Sequence, residues 1–168
     1  MATLGTYSPE DVTILIAGVI PLVGLTDGSF VTISKDVQPF TSARTTDGRV
    51  ARLYNNDQTY TISITLHSAS EGNDTLTKLW QIDELTQRAK FPLLIKDNLG
   101  SSFFFSTTSW IEQLPVTEYS TVITDRTWVI KSSQAIYNIG GNAEAAGLLD
   151  VLVSTVLASA GPILEGLI

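Results

Sequence analysis

Few residues in this chain could do chemistry. It has one histidine, His67, and no cysteine, so thiolate nucleophiles, disulfide frameworks and multi-histidine metal sites are excluded. His67 ends the polar side of an alternating run, and no Gly-x-Ser-x-Gly elbow exists for it to serve. Adjacent acids occur at Glu10-Asp11 and Asp83-Glu84. Sequence neighbours point apart on a strand and diverge on a helix, so neither pair makes the dyad that glycoside hydrolysis needs. Gly140-Gly141 is too short for a phosphate loop and is not followed by Lys-Ser or Lys-Thr, while Asp27, Ser29 and Asp57 lack calcium-loop spacing. The expectation is a non-enzyme with no catalytic, cofactor-binding or metal-ligating residue.

Charge is more informative. Ten Lys and Arg stand against 17 Asp and Glu, a net charge of −7 over 168 residues. That balance argues against a nucleic-acid binder, which needs a basic face. Yet Arg44, Arg49 and Arg52, three of five arginines, cluster between Asp36 and Asp57. Apolar periodicity fails there, and Pro39 and Asp47-Gly48 punctuate it. A connection this long is uncommon inside a domain, and reads as a solvated loop or as an arm ordered by a partner.

The elements that must position these residues are mostly strands. Val12, Ile14 and Ile16 alternate in a first strand ended by Ala17 to Pro21. Asp27-Gly28 reads as a hairpin turn leading into Phe30 to Lys35. The clearest strand follows: Tyr60, Ile62, Ile64 and Leu66 face one way, Thr59, Thr61, Ser63, Thr65 and His67 the other. Ser70 to Asp74 offers caps for one helix, with Leu76, Leu79, Trp80, Ile82 and Leu85 at helical spacing. Phe91 to Asp97, Phe103 to Ser106, Trp110 to Glu112 and Tyr119 to Lys131 return to strand. The predicted fold is mainly β (α+β): an antiparallel β-sandwich or barrel with one packed helix. It forms one domain over residues 1–142, with 36–57 as its arm.

Residues 143–168 differ in kind. Ala145, Leu148, Leu149, Leu152 and Val156 make an apolar helical face that Val151, Val153 and Leu157 widen. Such a helix must bury two sides, so Leu148, Leu152 and Val156 are expected to meet a neighbouring subunit, the alternative being that the helix packs wholly on its own sheet. A membrane span is rejected, because Asp150, Glu165 and Gly161-Pro162 interrupt the run and each charge costs about 2.5 to 3.5 kcal/mol to insert. The N-terminus has no basic region ahead of an apolar run, which fits a protein folded in a cytoplasm.

Five strings carry a resemblance: Tyr7-Ser-Pro-Glu-Asp-Val-Thr, Gly28-Ser-Phe-Val-Thr-Ile-Ser-Lys-Asp-Val-Gln-Pro-Phe, Asp47-Gly-Arg-Val-Ala-Arg-Leu, Phe91-Pro-Leu-Leu-Ile-Lys-Asp and Asp125-Arg-Thr-Trp-Val-Ile. In order and spacing, over residues 7–137, the chain resembles the tail tube proteins of contractile-tailed bacteriophages, relatives of type VI secretion tube proteins. The resemblance implies a virion protein made in the host cytoplasm, forming hexameric rings that stack into the inner tube and serve as the conduit for DNA ejection. Its implied partners are further copies of itself, the tail sheath protein, baseplate and tail terminator proteins, and a tape measure protein in the lumen. DNA would pass through transiently, past an acidic wall that repels phosphate. Lys35, Arg44, Asp47, Arg49 and Arg52 become the candidate contacts between rings. Two alternatives remain: another ring-forming tail or secretion-tube component such as a terminator, and a monomeric carbohydrate-binding β-sandwich using Trp110 or Trp128 as a sugar platform.

Overall fold

Thr59–His67 shows most directly why this chain folds as it does: its β-branched residues suit a pleated surface, and from Ile62 to Leu66 every second side chain is buried. The structure, a computed structural model, describes residues 4–143. The strands are β1 (Val12–Ile16), β2 (Ile20–Pro21), β3 (Val31–Lys35), β4 (Phe40–Arg44), β5 (Val50–Tyr54), β6 (Thr59–His67), β7 (Phe91–Asp97), β8 (Phe103–Gln113) and β9 (Asp125–Asn138), with one helix, α1 (Gly72–Thr86), between β6 and β7. Seven strands form an antiparallel sheet in the order β2-β1-β7-β8-β9-β6-β3, and β4 and β5 pair only with each other. The mainly antiparallel β fold with one packed helix is therefore as the sequence predicts. The expected helix of 143–168, with Leu148, Leu152 and Val156, lies outside the described residues.

The sheet rolls on itself. Val12 of β1 and Ile33 of β3, near its opposite ends, line one cavity with Ile95 and Phe104. The inward side chains make a single core, in which Ile16, Ile62, Ile64, Leu66, Leu93, Phe104 and Ile130 are fully buried. Each such burial contributes about 1.5 to 3 kcal/mol. At one end of the roll α1 acts as a plug: Leu76 is buried, and Gly72 passes so close to Leu22 and Leu66 that a Cβ there would crowd both. The opposite end is held by Tyr60, Phe104 and Tyr137, whose rings pack edge to face with centroids 5.5 to 6.0 Å apart.

Three expectations about the strands change. Asp27-Gly28 does not join a hairpin: β1 pairs with β2 and β7, whereas β3 pairs with β6 at the far edge of the sheet. The chain between them crosses over, because Leu25 bridges Leu66 and the Phe30 carbonyl accepts the Thr65 amide. Phe103 to Glu112 is one bent strand, and β9 runs from Asp125 to Asn138 rather than from Tyr119 to Lys131. The bend has a polar interior. Ser109 Oγ and Ser132 Oγ lie 2.6 Å apart, and Ser106 Oγ lies 3.1 Å from the carbonyls of both Thr108 and Ser133. Gln134 takes a left-handed φ of 54° beside this bend. Ser132 and Ala135 thereby both pack inward, while the pairing with β8 keeps its register from Ser106–Ala135 to Ser109–Ser132.

Candidate assembly interface

Residues 36–57 form a β-hairpin that stands off the rolled sheet, where the sequence suggests an irregular arm. Phe40 pairs with Tyr54, Thr41 with Leu53, Ser42 with Arg52, Ala43 with Ala51 and Arg44 with Val50. The turn closes through the Thr45 amide on the Arg49 carbonyl (2.9 Å) and the Gly48 amide on the Thr45 carbonyl (3.1 Å). Gly48 has φ +85°, the left-handed position that a three-residue hairpin loop reserves for glycine. Asp47 accepts from the Thr45 hydroxyl and pairs with Arg49 Nε at 3.3 Å. The Thr45 hydroxyl holds the Asp47 carboxyl below the usual carboxylate range.

Strand alternation gives the hairpin two different faces. One carries Phe40, Tyr54, Arg52, Arg44 and Val50. On it the Arg52 guanidinium sits 4.3 Å from the Phe40 ring centroid, and the Phe40 and Tyr54 centroids are 5.4 Å apart. The other carries Thr41, Leu53, Ala43 and Ala51, which are small or apolar. Neither face is covered: Tyr54 is 65% exposed and Leu53 55%. A two-stranded hairpin alone in water is marginal, and exposed aromatics stacked with arginine are the composition of an interface core.

At its root the hairpin is clamped to the body. Lys131 Nζ of β9 donates to Asp36 Oδ2 at 2.5 Å, the Thr61 hydroxyl donates to the other Asp36 oxygen, and the Asp36 amide donates to the Thr59 carbonyl at 3.0 Å. Burial pushes the Asp36 carboxyl up, but the hydrogen bonds from Lys131 and Thr61 outweigh it and hold it below its ordinary value. The same contact with Asp36 raises the Lys131 ammonium against its desolvation. Across the root, the Asp57 carboxylate receives the Thr59 amide at 2.9 Å and is also lowered, chiefly by Thr59.

Of the sequence candidates, Arg44, Asp47, Arg49 and Arg52 all lie on the projecting hairpin. Lys35 does not. It ends β3 with its ammonium 5.2 Å from the Tyr60 ring centroid, at the root. Sequence reasoning missed the aromatic pair Phe40 and Tyr54 and the clamp Asp36–Lys131. Asp47-Gly48 flanked by two five-residue β-type runs is the signal for the first; the second joins residues 95 apart and has none.

The other candidate chemistry is dispersed. His67 is tied into the turn after β6, where its Nδ1 receives the Ala69 amide at 3.4 Å. No group of three or more potential metal ligands forms among the described residues, and no helix there is long and apolar enough to cross a membrane. Trp128 is 2% exposed and donates its indole N–H to Asn73 Oδ1 at 3.0 Å, so it cannot serve as a sugar platform.

No family model matches the chain. A chain of the anti-feeding prophage cap (AFP tube terminating cap) superposes with a TM-score of 0.58 at 14% identity, covering 82% of this chain and 94% of that one. A chain of the PVC sheath/tube terminator, from an extracellular contractile injection system in its extended state, gives 0.53 at 15% identity over 82% of this chain and 100% of that one. A chain of the native gene transfer agent virion also gives 0.53, at 12% identity over 80% and 100%. These likenesses establish a shared fold. Identity runs higher against the structural protein ORF10 of Pseudomonas phage KPP10, at 32% over 148 residues, which is 84% of this chain and 86% of that protein. The chain belongs to the family of that phage structural protein.

Proposed function

We propose that this phage structural protein is a ring-forming component at the end of a tail tube, a terminator rather than the repeating tube subunit. The observation that carries the reading is the fold it shares with chains of a tube-terminating cap and of a sheath/tube terminator. Two features of the molecule support it. The rolled sheet keeps two open edges, the short β2 and the five-residue β3, and open edges are covered when neighbours close a ring. The hairpin of residues 36–57 then reaches an adjoining subunit or ring, its arginines meeting acidic groups there. Residues 4–143 act as the ring body, and a sixfold ring in a virion, contacting the end of the tube and the sheath, is the assembly proposed.

Sedimentation velocity and negative-stain electron microscopy of the purified full chain test this reading. Closed rings of a single thickness are expected. Filaments of uniform width would instead make it a tube subunit, which is the reading the sequence resemblance favours. A monomer at every concentration would remove both.

A further inference from the structure

We infer that the aromatic, arginine-bearing face of the 36–57 hairpin docks in a groove on a second copy of the chain, between the start of β9 and the segment that joins β8 to it. The inference rests on the ring-forming reading for the presence of that second copy. The groove has a volume of about 420 Å³. Thr127 and Val129 line it, alternating along β9 with the buried Trp128 and Ile130. Leu114 and Val116, just past the end of β8, add an apolar wall, and Glu118 and Asp125 supply two carboxylates. The apolar surface continues along the joining segment, where Val116 is 86% exposed, Tyr119 88%, and Val122 and Ile123 are open to solvent as well. So many large apolar side chains left uncovered in one short segment call for a partner. The surface is also built in place. The Thr124 hydroxyl donates to the Glu118 carbonyl at 3.2 Å, and the Thr124 carbonyl accepts the Ser68 amide at 3.1 Å.

Charge identifies the occupant. Glu118 and Asp125 form no ion pair among the described residues. Asp125 accepts the Thr26 hydroxyl at 2.5 Å, which leaves its charge unbalanced. Arg126, next to it in sequence, turns instead into a separate cavity beside Trp80 and Trp128. The hairpin offers the complement. Arg44 and Arg52 are diagonal neighbours across the β4–β5 pairing, about 7 to 8 Å apart along the backbone. They share their face with Phe40, Val50 and Tyr54, all exposed. Two cations among three apolar side chains thus match two carboxylates among Leu114, Val116 and Val129. The hairpin stands off its own sheet, clamped at its root by Asp36 and Lys131, so this face is presented to another copy. Hairpin-to-groove contact is heterologous, and repeated from copy to copy it closes a ring when the rotation allows.

Because the chain has no cysteine, paired substitutions can test the contact without background thiols. Ser42→Cys or Val50→Cys on the hairpin would be combined with Gln113→Cys or Thr127→Cys at the groove. A control would pair each hairpin cysteine with Gln81→Cys on the exposed side of α1. Circular dichroism confirms that each full-length variant is folded before a short bismaleimide crosslinker is added at low ionic strength. At least one groove pair is expected to give a ladder of covalent dimers, trimers and larger species on denaturing gels, and the controls none beyond dimers. Glu118→Lys/Asp125→Lys should remove that ladder, and adding Arg44→Glu/Arg52→Glu should restore it. Rings in sedimentation velocity with no crosslinking in any folded groove pair, or with equal crosslinking at Gln81, would overturn the inference and leave the ring-forming reading standing. Internally crosslinked monomers would put the hairpin on its own groove and overturn it as well. A chain that stays monomeric and uncrosslinked would overturn both.

Discussion

Asn73 shows how one side chain can join two layers. Its Oδ1 accepts the Trp128 indole N–H at 3.0 Å, and its Nδ2 donates to the carbonyls of His67 (2.9 Å) and Ser70 (3.1 Å). It thereby ties the start of α1 to the core face of β9 and to the turn after β6. Asn73→Ala leaves a buried indole N–H without a partner, a loss of about 1 to 3 kcal/mol. Urea denaturation should show that loss as a lower midpoint with an unchanged slope. The Asp36–Lys131 pair is different, because it titrates. An acid whose pKa is lower in the folded state than in the unfolded chain stabilises fully above its ordinary value of 3.8 and loses that contribution as the pH falls through and below it. The raised Lys131 contributes until the pH climbs past its ordinary 10.5. Between those limits the clamp is constant. Asp36→Asn should therefore cost about 1 kcal/mol at neutral pH and flatten the acid limb of the stability profile below about pH 4. A limb identical to that of the unsubstituted protein would show that the pair contributes nothing.

At the scale of elements, legibility in the sequence follows burial. β6 has one buried and one wet side, so its period of two appears directly in the residues. α1 shows its 3.6 period in the sequence, but of its apolar face only Leu76 is buried and Leu79 and Trp80 half-buried. Ile82 and Leu85, read from the sequence as part of the same face, stay exposed because the last turns run beyond the sheet. β4 and β5 are exposed nearly throughout, so no apolar alternation marks them and only the turn at Asp47-Gly48 gives them away. β3 reads correctly as a strand but its partner does not, since pairing with β6 rather than β1 is decided by a crossover through Leu25 and Leu66. The bend in β8 and β9 depends on buried serines, which look like surface residues in a sequence. Of the candidate interface, the arginines were legible as a cluster and the hairpin carrying them was not. Because β4 and β5 pair only with each other, the hairpin can be perturbed separately from the core. Gly48→Ala places a Cβ at φ +85° and should weaken the hairpin by about 1 kcal/mol. The thermal midpoint of the body should stay within a degree or two while ring formation in sedimentation velocity weakens. A drop in the midpoint together with intact rings would show that the hairpin belongs to the core and not to the assembly.

Across the whole molecule the charge is divided unevenly. Residues 37–56 hold three arginines and one aspartate, net +2, which leaves −9 on the remainder of a chain whose total is −7. Copies of an acidic body repel one another, and the projecting basic element is what can offset that repulsion at a contact. Such a contact is sensitive to salt, because the screening length shrinks from about 10 Å at 0.1 M to about 3 Å at 1 M. Two opposing effects follow: salt relieves repulsion between bodies and weakens attraction by the hairpin. The charge-reversed variant Arg44→Glu/Arg52→Glu separates them, since it keeps the body and turns the hairpin acidic. Assembly of the unsubstituted chain, followed by sedimentation velocity from 0.05 to 1 M sodium chloride, should fall as salt rises. The variant should fail to assemble at low salt and recover partly at high salt, where only the apolar contacts of Phe40, Val50 and Tyr54 remain to act. If both proteins assemble equally well at 0.05 M, the arginines have no part in joining subunits, and the aromatic face of the hairpin alone would have to hold them.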